Sequence, residues 1–440
     1  MSWSTDARAE GAWAGVHVCV AGVGVSGAAA VRELAARGAR VATVDARLGD
    51  DTSLPAGVDL VVTSPGWRPD HPLFAQAAEQ SVPVWGEVEL AWRLRDPAVP
   101  WLAVTGTNGK TTTVQMLASM LRAAGRRCVA AGNVGLPLLD AVLADPPYDV
   151  VAVELSSYQL HWSRTVACHA AAVLNVAPDH LDWHGSMAAY TAAKASIWAA
   201  GTAVVYNADD DATRRLAAGR ADAVSFSLGE PAPGQLGLRD GWLVADQVRL
   251  APVGSVQPPA PHNVANALAA AALARTVGVA PHEVDAGLRA FTPDAHRIAR
   301  VGVVDGVEFV DDSKATNAHA AAASLAAFDP VVWIAGGLAK GAEFDDLVKG
   351  AAGRLRAAVL LGADRALIGA ALARHAPDVP VVEVSGTDTG AMDDVVRAAL
   401  GLARPGDTVL LAPACASMDM FTNYAERGDA FAAAVRRLRR

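Results

Sequence analysis

Short apolar runs alternate along this chain with segments in which apolar residues recur at helical spacing. A short apolar run bounded by glycine, proline or small polar residues is typical of a buried strand. Such runs lie at residues 16–21, 41–44, 60–63, 101–104, 150–153, 170–175, 301–304, 308–310, 331–335, 359–361 and 408–412. Strands that alternate with helices predict parallel sheets of the α/β class. The proline- and glycine-rich stretches at residues 231–234 and 257–261 predict loop for the segment between them.

The run at residues 101–104 leads into a glycine-rich turn that precedes a helical pattern. The turn consists of Gly106, Thr107, Asn108, Gly109, Lys110, Thr111 and Thr112. Backbone N–H groups and the helix dipole at such a turn favour a phosphate, Lys110 adds a cation, and the Thr111 hydroxyl can bind Mg²⁺. The strict pattern has glycine where this chain has Val104, so the turn is a variant. A plain glycine-rich turn is the weaker interpretation, and we predict a nucleoside triphosphate site.

Length and composition narrow the class of protein. At roughly 150 residues per domain, 440 residues predict about three domains, each with its own core. No stretch approaches the ~20 continuous apolar residues that cross a bilayer, and the N-terminus does not have the pattern of a signal peptide. A net charge of −9 disfavours nucleic acid as a partner, and the scattered cysteines suit a reducing compartment. We therefore expect a cytoplasmic enzyme that acts on small molecules, without membrane insertion.

A second glycine-rich turn, at residues 22–27, has the spacing of the dinucleotide fingerprint Gly-x-Gly-x-x-Gly. Asp45 ends the next predicted strand, about 20 residues on, where an acidic residue can bind a ribose hydroxyl. NAD binding is the obvious interpretation. The same turn would equally serve a diphosphate-linked substrate, because any diphosphate can lie on a helix N-terminus. A tight turn without a ligand is the third alternative.

Polar residues follow the predicted strands of the central part of the chain. Glu154 ends one strand, where an α/β ATPase places a Mg²⁺ ligand, although an ordinary glutamate can also occupy a strand–helix junction. His180 follows the next strand, between two aspartates, and could hold a second metal or its water. Lys194, considered alone, is predicted to be a solvated residue of an amphipathic helix. Asn266 lies near the start of a later helix, where it could contact adenine or cap the helix.

In this order, the motifs resemble those of the ATP-dependent Mur ligases of peptidoglycan synthesis. The shared signatures are Thr105-Gly-Thr-Asn-Gly-Lys-Thr111, Gly132-Asn-Val-Gly135, Glu154-Leu-Ser-Ser-Tyr-Gln159, Asn175-Val-x-x-Asp-His180, Lys194, His262-Asn-x-x-Asn266 and His296-Arg297. Motifs at residues 311–317, 336–340 and 413–421 resemble the D-glutamate-adding type of this family. The resemblance implies a Rossmann-like domain over residues 1–97 that holds UDP rather than NAD. It also implies a P-loop ATPase-like α/β domain over residues 98–297 and a Rossmann-like domain over residues 298–440.

The resemblance implies that D-glutamate is joined to UDP-N-acetylmuramoyl-L-alanine through an acyl phosphate, with ATP and two Mg²⁺ ions. The residues implied to serve the phosphoryl transfer are Lys110, His180, Lys194, Arg297 and Lys314. The implied metal ligands are Thr111, Glu154, His180 and a Lys194 carbamylated by CO₂. Carbamylation needs the neutral amine, yet at a reference pKa of ~10.4 only about one lysine in a thousand is neutral at pH ~7.5. The site must therefore favour the modified form through burial and the metal.

The same resemblance implies the substrate contacts. The residues implied to contact the UDP substrate are Ser26, Asp45, Arg47, Gly66 and Asn133. Those implied for D-glutamate are Thr316, Lys340, Ser417 and Tyr424, the last of which is often Phe in the family. Asn266, Arg297 and Asp312 are implied to contact the nucleotide. A site assembled from three domains implies closure, which would protect an acyl phosphate from water, and we expect a monomer.

Three alternatives stay open at this point. Another ligase of the same architecture would add L-alanine, a diaminoacid or a folate glutamate, although the Asp-Asn-Pro-Arg signature of the diaminoacid type is absent from the sequence. An NAD-dependent oxidoreductase would bind NAD at residues 22–27, and its central motif would have a regulatory role. A nucleotide-gated binding protein without chemistry is disfavoured by the combination of Glu154, His180 and Lys194.

Overall fold

The computed structural model of the chain describes residues 7–9, 11–45, 53–386 and 390–438. The chain divides into two compact units, the first formed by Met1–Val256 with Val264–Phe291 and the second by Gln257–Asn263 with Thr292–Arg440. Within the described residues, the strands form three sheets of four, nine and six strands. None of the helices in these ranges is both long enough and apolar enough to span a membrane. The expected domain boundaries at residues 97/98 and 297/298 stay predictions.

The first sheet belongs to the first unit and is parallel throughout. Its strands are β1 (His17–Ala21), β2 (Arg40–Val44), β3 (Leu60–Thr63) and β4 (Val84–Gly86), in the order β2-β1-β3-β4. Its helices are α1 (Val25–Ala36), α2 (Pro72–Glu79) and α3 (Glu87–Leu94). The strand order reverses between β1 and β3, and ligands of open α/β sheets bind beyond the carboxyl ends of strands at such a point. The two turns after β1 and β3 are therefore well placed for a ligand.

The central sheet of the first unit carries the predicted phosphate loop. Its strands are β5 (Trp101–Thr105), β6 (Cys128–Gly132), β7 (Val150–Glu154), β8 (Ala170–Val173), β9 (Ala203–Asn207), β10 (Val224–Phe226), β11 (Leu236–Arg239), β12 (Trp242–Ala245) and β13 (Val248–Pro252). Their order is β13-β12-β11-β10-β9-β8-β5-β7-β6, with β12 antiparallel to both of its neighbours. The helices are α4 (Lys110–Ala123), α5 (Leu138–Val142), α6 (Ser157–His161), α7 (Leu181–His184), α8 (Met187–Ala195), α9 (Asp211–Ala217), α10 (Pro261–Arg275) and α11 (Pro281–Ala290). Because β5 lies between β7 and β8, the loops that follow these three strands meet at one edge of the sheet.

The prediction of loop between residues 231–234 and 257–261 is wrong, because β11, β12 and β13 occupy most of that segment. Arg239 pairs with Trp242, so Asp240 and Gly241 form a two-residue turn with φ of 50° and 76°. An Asp-Gly pair with positive φ at both positions is the type I′ turn that joins antiparallel strands. The flanking prolines hid this signal when the whole segment was judged by its composition.

The third sheet belongs to the second unit and is parallel except at one edge. Its strands are β14 (Ala299–Val304), β15 (Val307–Asp311), β16 (Val331–Gly336), β17 (Leu355–Leu361), β18 (Val381–Glu383) and β19 (Thr408–Leu411). Their order is β14-β15-β19-β16-β17-β18, and β14 runs antiparallel to β15. The helices are α12 (Ala318–Leu325), α13 (Asp345–Ala351), α14 (Arg365–His375), α15 (Ala391–Leu402) and α16 (Tyr424–Leu438). The strands predicted beyond residue 298 are confirmed, whereas the short edge strand β18 was not predicted.

Small side chains let helices pack closely on the central sheet. Alternate residues of β5 enter two apolar clusters, Leu102 and Val104 on one side and Trp101 and Ala103 on the other, as the two faces of a strand require. Residues 267–274 of α10 belong to the first of these clusters and are at most 4% exposed. The core therefore packs against both faces of β5, and this fixes the start of the phosphate loop.

Candidate active site

The phosphate loop joins the carboxyl end of β5 to the N-terminus of α4. Gly109 has a φ of 84°, and a Cβ there would lie only 2.4 Å from Asn266 Oδ1. The Asn108 N–H donates to Asn175 Oδ1 at 2.9 Å, and the Asn175 amide donates back to the Asn108 carbonyl at 3.1 Å. Glycine is thus required by both conformation and space, and the loop is held in a cradle that suits an anion at the start of a helix.

Two lysine side chains converge on one carbonyl of this loop. Lys110 Nζ donates to the carbonyls of Gly106 and Thr107, both at 2.9 Å, and Lys194 Nζ from α8 donates to the Gly106 carbonyl at 2.8 Å. Lys194 is only 2% exposed, so the prediction that it is solvated is wrong. Tyr190 stands four residues earlier on the same buried face of α8, which turns both side chains toward the phosphate loop.

The surroundings of Lys194 favour its neutral amine. Burial, and secondarily the charge of Lys110, lower the pKa of Lys194 well below its usual range. The Tyr190 ring lies with its centroid 4.5 Å from Lys194 Nζ, and its hydroxyl is 3.0 Å from Thr107 Oγ1. A neutral amine is a nucleophile, whereas an ammonium is not. The burial of Lys194 therefore favours the form of its side chain that can act as a nucleophile.

Glu154 ends β7 and has an incompletely satisfied carboxylate. It is 1% exposed, and its Oε1 accepts a hydrogen bond of 2.8 Å from the Asn133 amide. Its Oε2 is buried and has no hydrogen-bond partner among the residues that the structure describes. A buried carboxylate oxygen without a partner is costly, and Mg²⁺ binds such oxygens. No group of three or more His, Cys, Asp or Glu side chains in the described ranges could hold a metal, so side chains of these types alone would not complete a metal site at Glu154.

His180 is the N-cap residue directly before α7, with a φ of 54°, at the same edge of the sheet. Burial lowers its pKa, despite Asp179, whose Oδ2 lies 3.6 Å from His180 Nε2. A neutral imidazole keeps a lone pair for a metal or for a water bound to it. The ring packs 4.9 Å from the Tyr158 ring, centroid to centroid. His184 belongs to the same aromatic cluster, with Nε2 2.9 Å from Ser157 Oγ, and burial lowers its pKa to about 4.

The two turns at the switch point of the first sheet contact each other. Ser64 Oγ donates to the Gly22 carbonyl at 2.7 Å, and the Asp45 carboxylate accepts the Val23 N–H at 2.9 Å. Asp45 is therefore buried as a support of the 22–27 turn, and a contact with the UDP substrate stays a prediction. Ser26 is half-buried and Gly66 is exposed at these turns. Arg47 lies outside the described residues.

In the second unit, residues predicted to serve different substrates lie side by side. Lys314 Nζ stands 3.7 Å from the centroid of the Tyr424 ring. Leu338 and Ala416 exchange backbone hydrogen bonds of 2.9 and 3.0 Å, which bring the turns of Lys340 and Ser417 together. Ser417 is buried, Thr316 is half-buried, and Lys340 is exposed with a φ of 52°.

The predicted nucleotide residues of this unit make internal contacts. Both Asp312 oxygens accept hydrogen bonds, one from the Ile298 N–H at 3.2 Å and the other from the Ser324 hydroxyl, and burial raises the pKa of Asp312 to about 6. Arg297 Nε lies 3.9 Å from Asp294 Oδ2. Contacts of Asp312 and Arg297 with a nucleotide stay predictions.

Comparison with known proteins identifies the family. Residues 104–274 match the Mur ligase middle domain, and residues 296–415 match the glutamate ligase domain of Mur ligases. The UDP-N-acetylmuramoylalanine–D-glutamate ligase of Streptomyces coelicolor is 60% identical, and the match covers 97% of this chain and 99% of that protein. The ligase of the same name from Thermobifida fusca is 59% identical over 96% of this chain and 99% of its own length. The chain belongs to the Mur ligase family.

Solved structures agree with this assignment at the level of the fold. The UDP-N-acetylmuramate–alanine ligase of Thermotoga maritima matches with a TM-score of 0.59 at 18% identity, over 96% of this chain and 99% of that one. MurF from Acinetobacter baumannii matches with a TM-score of 0.59 at 19% identity, over 97% and 92% of the two chains. The predicted α/β fold class and the predicted membership of the Mur ligases are confirmed. The oxidoreductase interpretation of residues 22–27 is thereby set aside.

For a Mur ligase, the structure gives contacts to residues that were not among the predicted site residues. Tyr190 shields Lys194, and the reciprocal hydrogen bonds of Asn175 hold the phosphate loop. Arg427 lies fully buried beside Ser313. Tyr190 could have been found from its spacing of four residues to Lys194 on one helix face. Arg427 could not have been found from the sequence, because its partners Ser313 and Cys415 lie 114 and 12 residues earlier and outside its helix.

Proposed function

We propose that this chain is an ATP-dependent ligase that joins the amine of D-glutamate to the L-alanyl carboxylate of UDP-N-acetylmuramoyl-L-alanine, a step of peptidoglycan precursor synthesis. Relatives at 59–60% identity over nearly the whole chain carry the name of this activity. The observation that carries the proposal is the convergence of Lys110 and buried Lys194 on the Gly106 carbonyl. We also propose that the enzyme is a cytoplasmic monomer.

The reaction has two steps whose demands differ. A carboxylate oxygen of the L-alanyl group attacks the γ-phosphorus of ATP, the bond to the bridging oxygen of ADP breaks, and an acyl phosphate forms. The amine of D-glutamate then attacks the carbonyl carbon, the C–O bond breaks, phosphate leaves, and the nitrogen loses a proton. The first step brings two anions together, so positive charge must already be in place. In the proposal, this positive charge comes from Lys110, Lys314 and Arg297.

The nucleotide would lie on the phosphate loop. Residues 106–112 would hold the β- and γ-phosphates through backbone N–H groups and Lys110. Asn266, whose Oδ1 faces Gly109, would contact the adenine edge. Arg297 and Asp312 of the second unit would contact the phosphates and the ribose.

Two Mg²⁺ ions, when bound, would neutralise charge on the phosphates and on the reacting carboxylate. Thr111 and Glu154 would hold the first ion, in line with the unpartnered Oε2 of Glu154. His180 and a carbamylated Lys194 would hold the second. Carbamylation is the attack of the neutral Nζ of Lys194 on the carbon of CO₂, which forms an N–C bond and releases one proton to solvent. Its support here is the burial and the lowered pKa of Lys194.

The UDP substrate would bind at the first sheet and the amino acid at the third sheet. Ser26, Asp45, Arg47 and Gly66 would hold the UDP group, and Asn133 would lie near the reacting carboxylate. Thr316, Lys340, Ser417 and Tyr424 would hold D-glutamate, with Lys340 and Ser417 on its carboxylates. The adjoining turns of Lys340 and Ser417 support this pairing.

The test is release of phosphate from ATP by the purified chain. With UDP-N-acetylmuramoyl-L-alanine and Mg²⁺ present, release should depend on D-glutamate. L-Alanine, a diaminoacid and L-glutamate on a folate substrate should each give little or no release. A preference for one of those alternatives would assign the chain to another amino acid ligase of this family, and no amino-acid-dependent release would contradict the proposal.

A further inference from the structure

Arg427 places a guanidinium in the interior of the second unit, where three segments of the chain meet. It lies on α16 and is 1% exposed. Its Nε donates to Ser313 Oγ at 3.0 Å, Nη2 to the Ser313 carbonyl at 2.9 Å, and Nη1 to the Cys415 carbonyl at 3.1 Å. A buried guanidinium is costly unless its hydrogen bonds are made, so these three bonds explain how the residue is tolerated. They do not by themselves explain why an arginine is there.

The segments that Arg427 joins carry the residues proposed to bind both substrates of this unit. Ser313 precedes Lys314, the proposed phosphate lysine, and Cys415 lies two residues before Ser417. Ser313 Oγ also donates to the Tyr424 carbonyl at 2.7 Å. One side chain thus connects the Lys314 segment to the segments that carry Ser417 and Tyr424.

Further contacts, made by Asp311 and His296, hold the segment that carries Ser313 and Lys314 in place. Asp311 accepts the Ser313 N–H at 2.9 Å through Oδ1, and its Oδ2 lies 2.6 Å from His296 Nδ1. The Lys314 N–H donates to the His296 carbonyl at 3.2 Å. Next to Arg427, a Cβ on Gly428 would lie 2.1 Å from His296 Nδ1. Helix α16 therefore packs directly on the pair of His296 and Asp311, with no room for a side chain.

We propose that Arg427 is a positioning residue for the ligation, which acts through Ser313 and Cys415 to hold Lys314 at a fixed distance from Ser417 and Tyr424. The inference rests on the proposed function. An arginine suits this task because its planar fork presents several N–H donors in fixed directions, whereas a lysine presents one point charge. The separation matters because the phosphate lysine serves the first step and the D-glutamate residues serve the second.

The test is steady-state kinetics of Arg427→Lys with each substrate varied in turn. We expect kcat to fall and the KM for D-glutamate to rise, each by about 10-fold or more, because small misplacements of reacting groups are costly. The KM for the UDP substrate should stay within about 2-fold of the wild-type value, since its proposed contacts lie in the first unit. Arg436→Lys, an exposed change on the same helix, is the matched control and should change neither constant.

Ser313→Ala is the second variant, because it removes one hydroxyl and keeps the carbonyl that Arg427 also binds. It should shift the same two constants in the same direction, less than Arg427→Lys does, and added guanidinium ion should partly restore an Arg427→Ala enzyme. Wild-type kcat and D-glutamate KM in both Arg427→Lys and Ser313→Ala would overturn the inference. So would equal rises in KM for all three substrates together with a lower unfolding temperature, since that pattern indicates a role in stability alone. A wild-type enzyme without D-glutamate-dependent phosphate release would instead contradict the proposed function.

Discussion

Replacing Lys194 separates its chemistry from its place in the core. Lys194→Met keeps an unbranched side chain of similar length in the buried position next to Tyr190, but it removes the amine that donates to the Gly106 carbonyl. Lys194→Ala removes the amine as well and leaves space for a small molecule. If the carbamylated lysine is an oxygen ligand of Mg²⁺, both variants should lose activity while the chain stays folded.

The expected magnitudes can be worked from the surroundings of the amine. The lost hydrogen bond contributes ~0.5–1.5 kcal/mol, and removing an amine that is buried beside Lys110 returns part of this, because burial disfavours the charged form. We expect the free energy of unfolding of Lys194→Met to stay within about 1 kcal/mol of wild type. Loss of an electrostatic group at the reacting centre should lower kcat by about 100-fold or more, which is about 2.7 kcal/mol.

The assay is D-glutamate-dependent phosphate release, run beside thermal unfolding of the same samples. Lys349→Met is the matched control, since Lys349 is an exposed lysine on α13 that lies 3.5 Å from Asp346. A short-chain carboxylic acid such as acetate, added to the Lys194→Ala enzyme, should restore part of the activity by supplying the missing carboxylate. Depletion of CO₂ should lower the activity of the wild-type enzyme reversibly and leave Lys194→Ala unchanged.

Full activity of Lys194→Met or Lys194→Ala without an added acid would refute the assigned role. Loss of activity together with loss of cooperative unfolding would show that the lysine holds the fold instead. The two variants distinguish these cases because only Lys194→Ala creates a cavity.

Other residues of the site give further predictions. Glu154→Gln should raise the Mg²⁺ concentration needed for half-maximal activity by about 10-fold or more, as changes around metal ligands commonly do; an unchanged Mg²⁺ titration would remove Glu154 from the metal site. Gly109→Ala should weaken ATP binding in calorimetry by at least ~1 kcal/mol, because its φ of 84° and the 2.4 Å approach of Asn266 exclude a Cβ; wild-type affinity would contradict the cradle. The pKa of Asp312 rises to about 6 from an ordinary value of 3.8, so the folded chain binds a proton that the unfolded chain releases. The stability from that proton is present below about pH 4 and lost by about pH 6, a change of about 3 kcal/mol that Asp312→Asn should abolish in urea unfolding. If the free energy of unfolding of wild type and of Asp312→Asn changed with pH in the same way, the raised pKa of Asp312 would be contradicted.

Local chemistry made the phosphate loop and most strands predictable. Gly109 is required by the conformation of the turn itself, and the run at residues 101–104 is apolar because β5 is covered on both faces. Lys194 could not be placed in this way. Its helix is rich in alanine, so periodicity does not tell which face is buried, and the resemblance to a family rather than the pattern suggested its role.

Long-range contacts limited the prediction elsewhere. Arg427 is held by carbonyls of Ser313 and Cys415, and neither partner can be inferred from the residues around it. The hairpin of β11 and β12 was missed for a different reason. Its Asp240-Gly241 turn is a local signal, but the prolines on either side of the segment outweighed it.

The most direct test of the central claim follows oxygen atoms rather than rates. UDP-N-acetylmuramoyl-L-alanine labelled with ¹⁸O in its L-alanyl carboxylate would be incubated with the enzyme, ATP, Mg²⁺ and D-glutamate, and the released phosphate would be analysed by mass spectrometry. An acyl phosphate transfers one carboxylate oxygen to the phosphate, so each turnover should release one ¹⁸O atom in phosphate. Unlabelled phosphate, or label recovered in AMP, would contradict activation of the carboxylate by the γ-phosphoryl group.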